Sequence, residues 1–61
     1  MDQLAAQFNK VYANLPLGMR DEVALVLDDQ PISWQAAYIE VYNETDIAKR
    51  ILKELDELKL I

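Results

Sequence analysis

Asp28 and Asp29, side by side in the segment EVALVLDDQPISW (residues 22–34), come nearest in this chain to a spacing that does chemistry. With Glu22 or Glu40 they would form a carboxylate pair, and acid and base roles need two carboxyls whose surroundings push their pKa values apart. Adjacent aspartates between apolar runs fit a solvated turn better, because Asp tolerates the unusual dihedrals that a turn demands. Asp29 and Glu40 also stand at the first and twelfth positions of a calcium-binding loop. Pro31 takes the third position of that loop and Trp34 the sixth, where glycine is required, and only Ser33 at the fifth is a plausible ligand. That excludes an EF-hand but leaves room for a weak adventitious cation at the acidic turn.

The remaining candidates have simpler explanations. Ser33 is the only serine, and with no histidine in the chain to activate it, it reads as a helix N-cap rather than a nucleophile. Asn43, Glu44 and Thr45 spell a glycosylation sequon, yet helix-end and cap chemistry accounts for the same three residues. Gly18 is the only glycine, which rules out a glycine-rich phosphate loop, and the absence of cysteine removes thiolates, disulfides and sulfur-ligated metals. No catalytic, cofactor-binding or metal-binding residue is assigned, no cofactor is expected, and the chain does not read as an enzyme.

Aromatic residues offer contact rather than catalysis. Trp34, Tyr12, Tyr38 and Tyr42 can serve as core or as interface anchors, since such side chains bury large areas yet keep a polar tip. Trp34 and Tyr38 fall on the apolar side of one helical stretch and read as core, whereas Ile39 and Tyr42 lie off it. Ile39, Tyr42, Leu58 and Ile61 therefore form the candidate interaction surface.

The elements that must carry these residues follow from periodicity. Asp2 can cap a first helix in which Leu4, Phe8, Val11, Tyr12 and Leu15 recur at helical spacing, and Pro16 ends it near Asn14. The short loop that follows is apolar, so Leu15, Leu17 and Met19 are expected over the core. Residues 22–32 admit two readings: Met19, Val23, Val26 and Leu27 match a helix, while Val23, Leu25 and Leu27 match one face of a strand. A helix there would set Arg20 near its positive end and Asp28 with Asp29 near its negative end, both against the macrodipole. The hairpin reading avoids this, with a strand from Glu22 to Leu27, a turn at Asp28 and Asp29, and a return over Gln30 to Ile32 in which Pro31 demands an edge position.

Ser33 then caps a helix carrying Trp34, Ala37, Tyr38 and Val41 on one side, and Thr45 caps a last helix with Ile47, Ile51, Leu52, Leu55 and Leu58 as its buried stripe. Leu60 and Ile61 are expected to dock rather than fray. The fold class is α+β: an N-terminal helix, a short two-stranded β-hairpin and two C-terminal helices. Its alternative is an all-α bundle of four short helices.

At 61 residues the chain is one small domain, 1–61, near the size at which only about 60% of the unfolded surface can be buried. Its apolar fraction of 52% argues against disorder, and its net charge of −5, with bases dispersed among acids, disfavours nucleic acid. No apolar run is long enough to span a bilayer and the start MDQLAAQFNK is acidic rather than basic, so a cytoplasmic protein without membrane contact is expected. The functional expectation is a small acidic protein-interaction or assembly module whose partner is another protein or itself. Ala48, Ile51, Leu55 and Leu58 occupy the a and d positions of a short coiled coil, so a homodimer is one form this could take. The alternative is a helix-turn-helix-like nucleic-acid-binding regulator using the last two helices, with Lys49, Arg50 and Lys53 meeting phosphates.

Overall fold

Two acids decide the architecture. Asp28 and Asp29 both adopt positive φ, 50° and 66°, as the central residues of a type I′ turn require. This turn joins strand β1 (Val23–Leu27) to β2 (Gln30–Ser33) in an antiparallel hairpin, in which Val26 pairs with Pro31 and Leu27 with Gln30. The computed structural model describes residues 2–61, and its element order is helix α1 (Asp2–Ala13), a short 3-10 turn (Leu17–Met19), β1, β2, helix α2 (Trp34–Tyr42) and helix α3 (Asp46–Glu57). The α+β reading holds, and the four-helix alternative does not. A capping role for Asp2 rests on a side chain outside the described ones.

The hairpin departs from the expected face in one place. Val23 pairs with Ser33 and Leu25 with Ile32, so β1 spends one residue more than β2 and Ala24 forms a β-bulge. The extra residue breaks the alternation: Leu25 and Leu27 turn toward the core, while Val23 is left outside. Beyond the sheet the pairing continues as Trp34 N–H to the Glu22 carbonyl, 3.1 Å, and Gln35 N–H to the Arg20 carbonyl, 3.0 Å. These two bonds satisfy amides at the start of α2 and hold it to the base of the hairpin.

Cap chemistry sets both later helices. The Ser33 hydroxyl accepts from the Ala36 amide at 3.0 Å, and the Thr45 hydroxyl accepts from the Ala48 amide at 3.1 Å. Both helices end in the same backbone motif. Thr45 N–H reaches the Glu40 carbonyl and Glu44 N–H the Val41 carbonyl; Leu60 N–H reaches the Leu55 carbonyl and Lys59 N–H the Asp56 carbonyl. This paired pattern is the Schellman motif, and it places its turning residue in the left-handed region. Those residues are Glu44 at φ 53° and Lys59 at φ 59°, where glycine is the usual choice. The chain's one glycine, Gly18, is not used for positive φ.

The core closes around α3. Ala48, Ile51, Leu52 and Leu55 are fully buried, joined by Phe8 from α1, Leu25 from β1, and Trp34, Ala37 and Val41 from α2. A radius of gyration of 10.3 Å matches the roughly 10.5 Å expected of a compact chain this long, so one copy closes its own core. Three of the four coiled-coil positions, Ala48, Ile51 and Leu55, are consumed in that packing. Ile47 and Leu58 correct the expected stripe, being 47% and 52% exposed. At 100° per residue they fall about 90° and 70° from the centre of the Ala48, Ile51, Leu52, Leu55 row, on its edge.

Two loop residues also differ from expectation. Leu15 packs against the core, but Leu17 and Met19 are 78% and 45% exposed. Their turn satisfies its backbone locally, with Met19 N–H to the Pro16 carbonyl and Arg20 N–H to the Leu17 carbonyl, and its side chains project outward. At the end of the chain Ile61 packs against the core, whereas Leu60 stays largely exposed. Among the described residues no helix is long and apolar enough to cross a membrane.

Candidate functional site

Residues four apart on a helix lie nearly above one another, and α1 and α2 both use that spacing for aromatic rings. Phe8 and Tyr12 come from α1, and Trp34, Tyr38 and Tyr42 from α2. The two sets form one continuous row. Ring centroids lie 6.1 Å apart for Trp34 and Phe8, 6.0 Å for Phe8 and Tyr12, 4.4 Å for Tyr12 and Tyr38, and 6.1 Å for Tyr38 and Tyr42. Within the row exposure rises from Phe8, fully buried, through the half-buried Tyr12 and Tyr38, to Tyr42, which is 74% exposed. The buried end is core, and the free end is surface.

Arg20 caps the middle of this row. Its guanidinium carbon sits 4.5 Å from the centroid of the Tyr12 ring, and Tyr38 stacks on that ring at 4.4 Å with an interplanar angle of 10°. Two groups that close must occupy opposite faces, so Arg20, Tyr12 and Tyr38 form a three-layer stack. A cation over an aromatic face is attracted by the ring quadrupole, with roughly 0.5–1 kcal/mol gained at a partly exposed site. The backbone fixes the arginine from two sides, through Arg20 N–H to Leu17 and through its carbonyl accepting from Gln35.

Polar satisfaction at Arg20 is poor. One Nη2–H makes a long contact to the Tyr12 carbonyl, 3.5 Å, and Nε is sealed from solvent with no acceptor. Among the described residues no carboxylate lies within 4 Å of this guanidinium, and Asp28 with Arg50 is the ion pair formed. Tyr12, Arg20, Tyr38 and Tyr42, with Asn9 and Glu44, line an open cleft of about 750 Å³. Its walls are mostly apolar, with one base and one acid among the lining residues.

Asp28, Asp29 and Glu40 lie outside this cleft. Asp28 is bound by Arg50 from α3 through a two-pronged pair, Nη1 to Oδ2 and Nη2 to Oδ1, both 2.9 Å. Donation from Arg50 and then its charge hold the Asp28 carboxyl below its ordinary value, and the same bonds raise Arg50. Asp28 is thus a tie between the hairpin tip and α3. Glu40 accepts from the Thr45 hydroxyl at 2.6 Å and so bridges the corner between α2 and α3. Asn43 donates from its side chain to the Ile39 carbonyl at 3.0 Å, closing the end of α2. Among the described residues no group of three or more acids comes together as a metal site would need.

The proposed surface residues divide. Ile39 and Tyr42 are exposed one turn apart on α2, with Tyr42 also on the rim of the cleft. Leu58 is exposed beyond the last turn of α3, about 18 Å along that helix from the corner that follows Tyr42. Ile61 is partly buried against the core. Spacing at 8 and 12 and at 34, 38 and 42 was a visible signal for the row of rings. Nothing local announces Arg20, whose partner Tyr12 lies across a loop. Comparison with protein-family models, curated proteins and solved structures returns no match for this chain.

Proposed function

We propose that this protein is a small acidic protein-interaction module without catalytic activity, and that its contact face is the end of α2 at Ile39 and Tyr42 beside the cleft. The observation that supports this most is Tyr42, an aromatic side chain continuing a row of rings yet 74% exposed in a chain whose core is already closed. Tyrosine and arginine are the residue types enriched where interfaces draw their binding energy, and both lie at this cleft. The non-catalytic reading is supported by the absence of histidine and cysteine and by the use of Ser33 as a cap. A cytoplasmic setting, with another protein or a second copy as partner, agrees with an acidic chain lacking disulfides.

A direct test compares the wild type with the double variant Ile39→Ser, Tyr42→Ser as bait in extract from the source cell, with far-UV circular dichroism confirming the fold. The wild type is expected to retain a partner that the variant loses. Equal retention by both, or none by either, sinks the reading. Sedimentation at micromolar concentration separates self-association from a foreign partner. The helix-turn-helix alternative keeps one supporting observation, the tight corner between α2 and α3, but Arg50 is engaged by Asp28 and the chain is acidic. A titration with mixed duplex DNA at low salt decides it, since phosphate-driven binding must weaken steeply as salt rises.

A further inference from the structure

Arg20 is costly for the cleft to hold as it stands. A guanidinium carries five N–H donors in a planar fork, and here one of them makes a 3.5 Å contact while the sealed Nε–H makes none. A buried donor without an acceptor destabilises a fold, so stability alone does not account for this side chain. Its position is nevertheless fixed, by stacking on Tyr12 and by backbone bonds on both sides. Because Nε is closed off, the outer Nη1 and Nη2 groups are the ones an incoming molecule meets. A planar fork held still beside apolar walls is suited to a carboxylate, which accepts two parallel N–H bonds.

The surroundings narrow the choice. Beside the guanidinium lies the Tyr12 ring, with Tyr38 stacked on that ring and Tyr42 next along the row in the same cleft, so the carboxylate must come with apolar bulk next to it. The volume of about 750 Å³ falls within the usual 300–1,000 Å³ of ligand sites. Yet the cleft is open to one side, and Ile39, 48% exposed, lies one turn from Tyr42 where a small molecule would leave it uncovered. A chain segment covers both. Glu44 lines the same cleft and repels a carboxylate, so the acidic group must enter at the Arg20 end. We infer that the Arg20 cleft receives an aspartate or glutamate side chain flanked by apolar residues on a protein partner. This rests on the interaction-module reading and names the chemistry of its partner.

The test uses the full chain, labelled with nitrogen-15, and two synthetic probes: acetyl-Leu-Asp-Leu-amide and its Asn counterpart. The sealed Arg20 Nε–H is expected to exchange slowly with water and to give a resonance distinct from that of the exposed Arg50. The Asp peptide is expected to shift that signal and those of Tyr38 and Tyr42, and to bind about tenfold more tightly than the Asn peptide. Arg20→Lys keeps the charge but loses the fork, and is expected to weaken the Asp peptide about tenfold. Glu44→Gln is expected to tighten it. Equal binding of the two peptides to the wild type, or shifts confined to other parts of the molecule, overturns the inference whether or not any variant folds. Tighter binding of free N-acetylphenylalanine than of the Asp peptide overturns the protein-partner assignment in favour of a small carboxylate. Any of these results leaves the Ile39 and Tyr42 face to be judged by its own extract experiment, so the two readings fail separately.

Discussion

Around α3 the packing is complete: Ala48, Ile51, Leu52 and Leu55 are fully buried, and no polar side chain is buried with them among the described residues. Across α1 and α2 the packing trails off instead, from Phe8 at the centre to Tyr42 at the surface, and it takes a poorly satisfied guanidinium along with it. The helices themselves differ: α3 is strongly amphipathic, whereas α2 is apolar over most of its surface and only weakly amphipathic. The first region closes the core, and the second contains groups, the exposed Tyr42 ring and the unpaired Arg20 Nε–H, that the closed core does not use. Where a very small domain carries rings and a charge beyond the requirements of its core, those groups are the ones to interrogate for function.

The comparison breaks first on stability. Leu52→Ala removes a fully buried side chain from the closed region and is expected to cost about 2–5 kcal/mol, enough to unfold much of so small a domain. Tyr42→Ala, at the open end of the row, is expected to cost less than about 0.5 kcal/mol. Urea denaturation followed by Trp34 fluorescence measures both. Comparable losses would mean that the tyrosine row is core after all.

A smaller effect, of opposite sign, tests the helix ends. Lys59→Gly and Glu44→Gly each relieve an L-residue held at positive φ and are each expected to stabilise by about 0.5–1 kcal/mol. Glu44 belongs to the cleft and Lys59 to the end of the core helix. Equal gains mean that backbone strain is the only term; a smaller gain at Glu44 would reveal an attraction between its carboxylate and the cleft. Arg20→Met comes next, because it keeps the packing stem while removing the sealed, unpaired Nε–H. Its stability should equal or exceed that of the wild type by up to about 1 kcal/mol, relief of the orphan donor offsetting the lost cation–π contact. A clear loss would show that Arg20 serves the fold and would remove the reason to look for a ligand there.

What the sequence reveals of this molecule follows the range of each interaction. Ser33 and Thr45 could be recognised as caps because capping acts over three residues, and the paired aspartates as a turn because the charges oppose a helix in that place. Ala24 could not be recognised as a bulge, since the extra residue is visible only once β1 is laid against β2. Leu17 and Met19 mislead because apolar character alone does not say which way a 3-10 turn points. The left-handed ends at Glu44 and Lys59 were hidden by the absence of glycine, the residue that usually announces them. For the candidate site the balance is poorer. Ile39 and Tyr42 stood out by lying off the buried stripe, but the stack of Arg20 on Tyr12 is a contact across a loop, and no periodicity encodes it.

The smallest effect concerns the tie between the hairpin tip and α3. Arg50 lowers the pKa of Asp28 in the folded protein, through its hydrogen bonds first and its charge second. A carboxylate whose pKa is depressed by folding adds stability above its unfolded value, near 3.8, and loses that contribution as the pH falls through the depressed folded value. The wild type should therefore lose more stability between pH 5 and pH 3 than Arg50→Gln does, by a small margin because both groups are exposed to water and their pairing is screened. Arg50→Gln is the sharper probe, since changing Asp28 itself would also alter a turn residue at positive φ. Urea midpoints at the two pH values, repeated in 1 M sodium chloride, check this: the difference between the proteins should shrink in salt, where surface pairs are screened within about 3 Å. A pH difference that survives high salt would mean that the hairpin tip is held to α3 by more than this ion pair, and that the boundary of the closed region lies further out than Leu25 and Leu27.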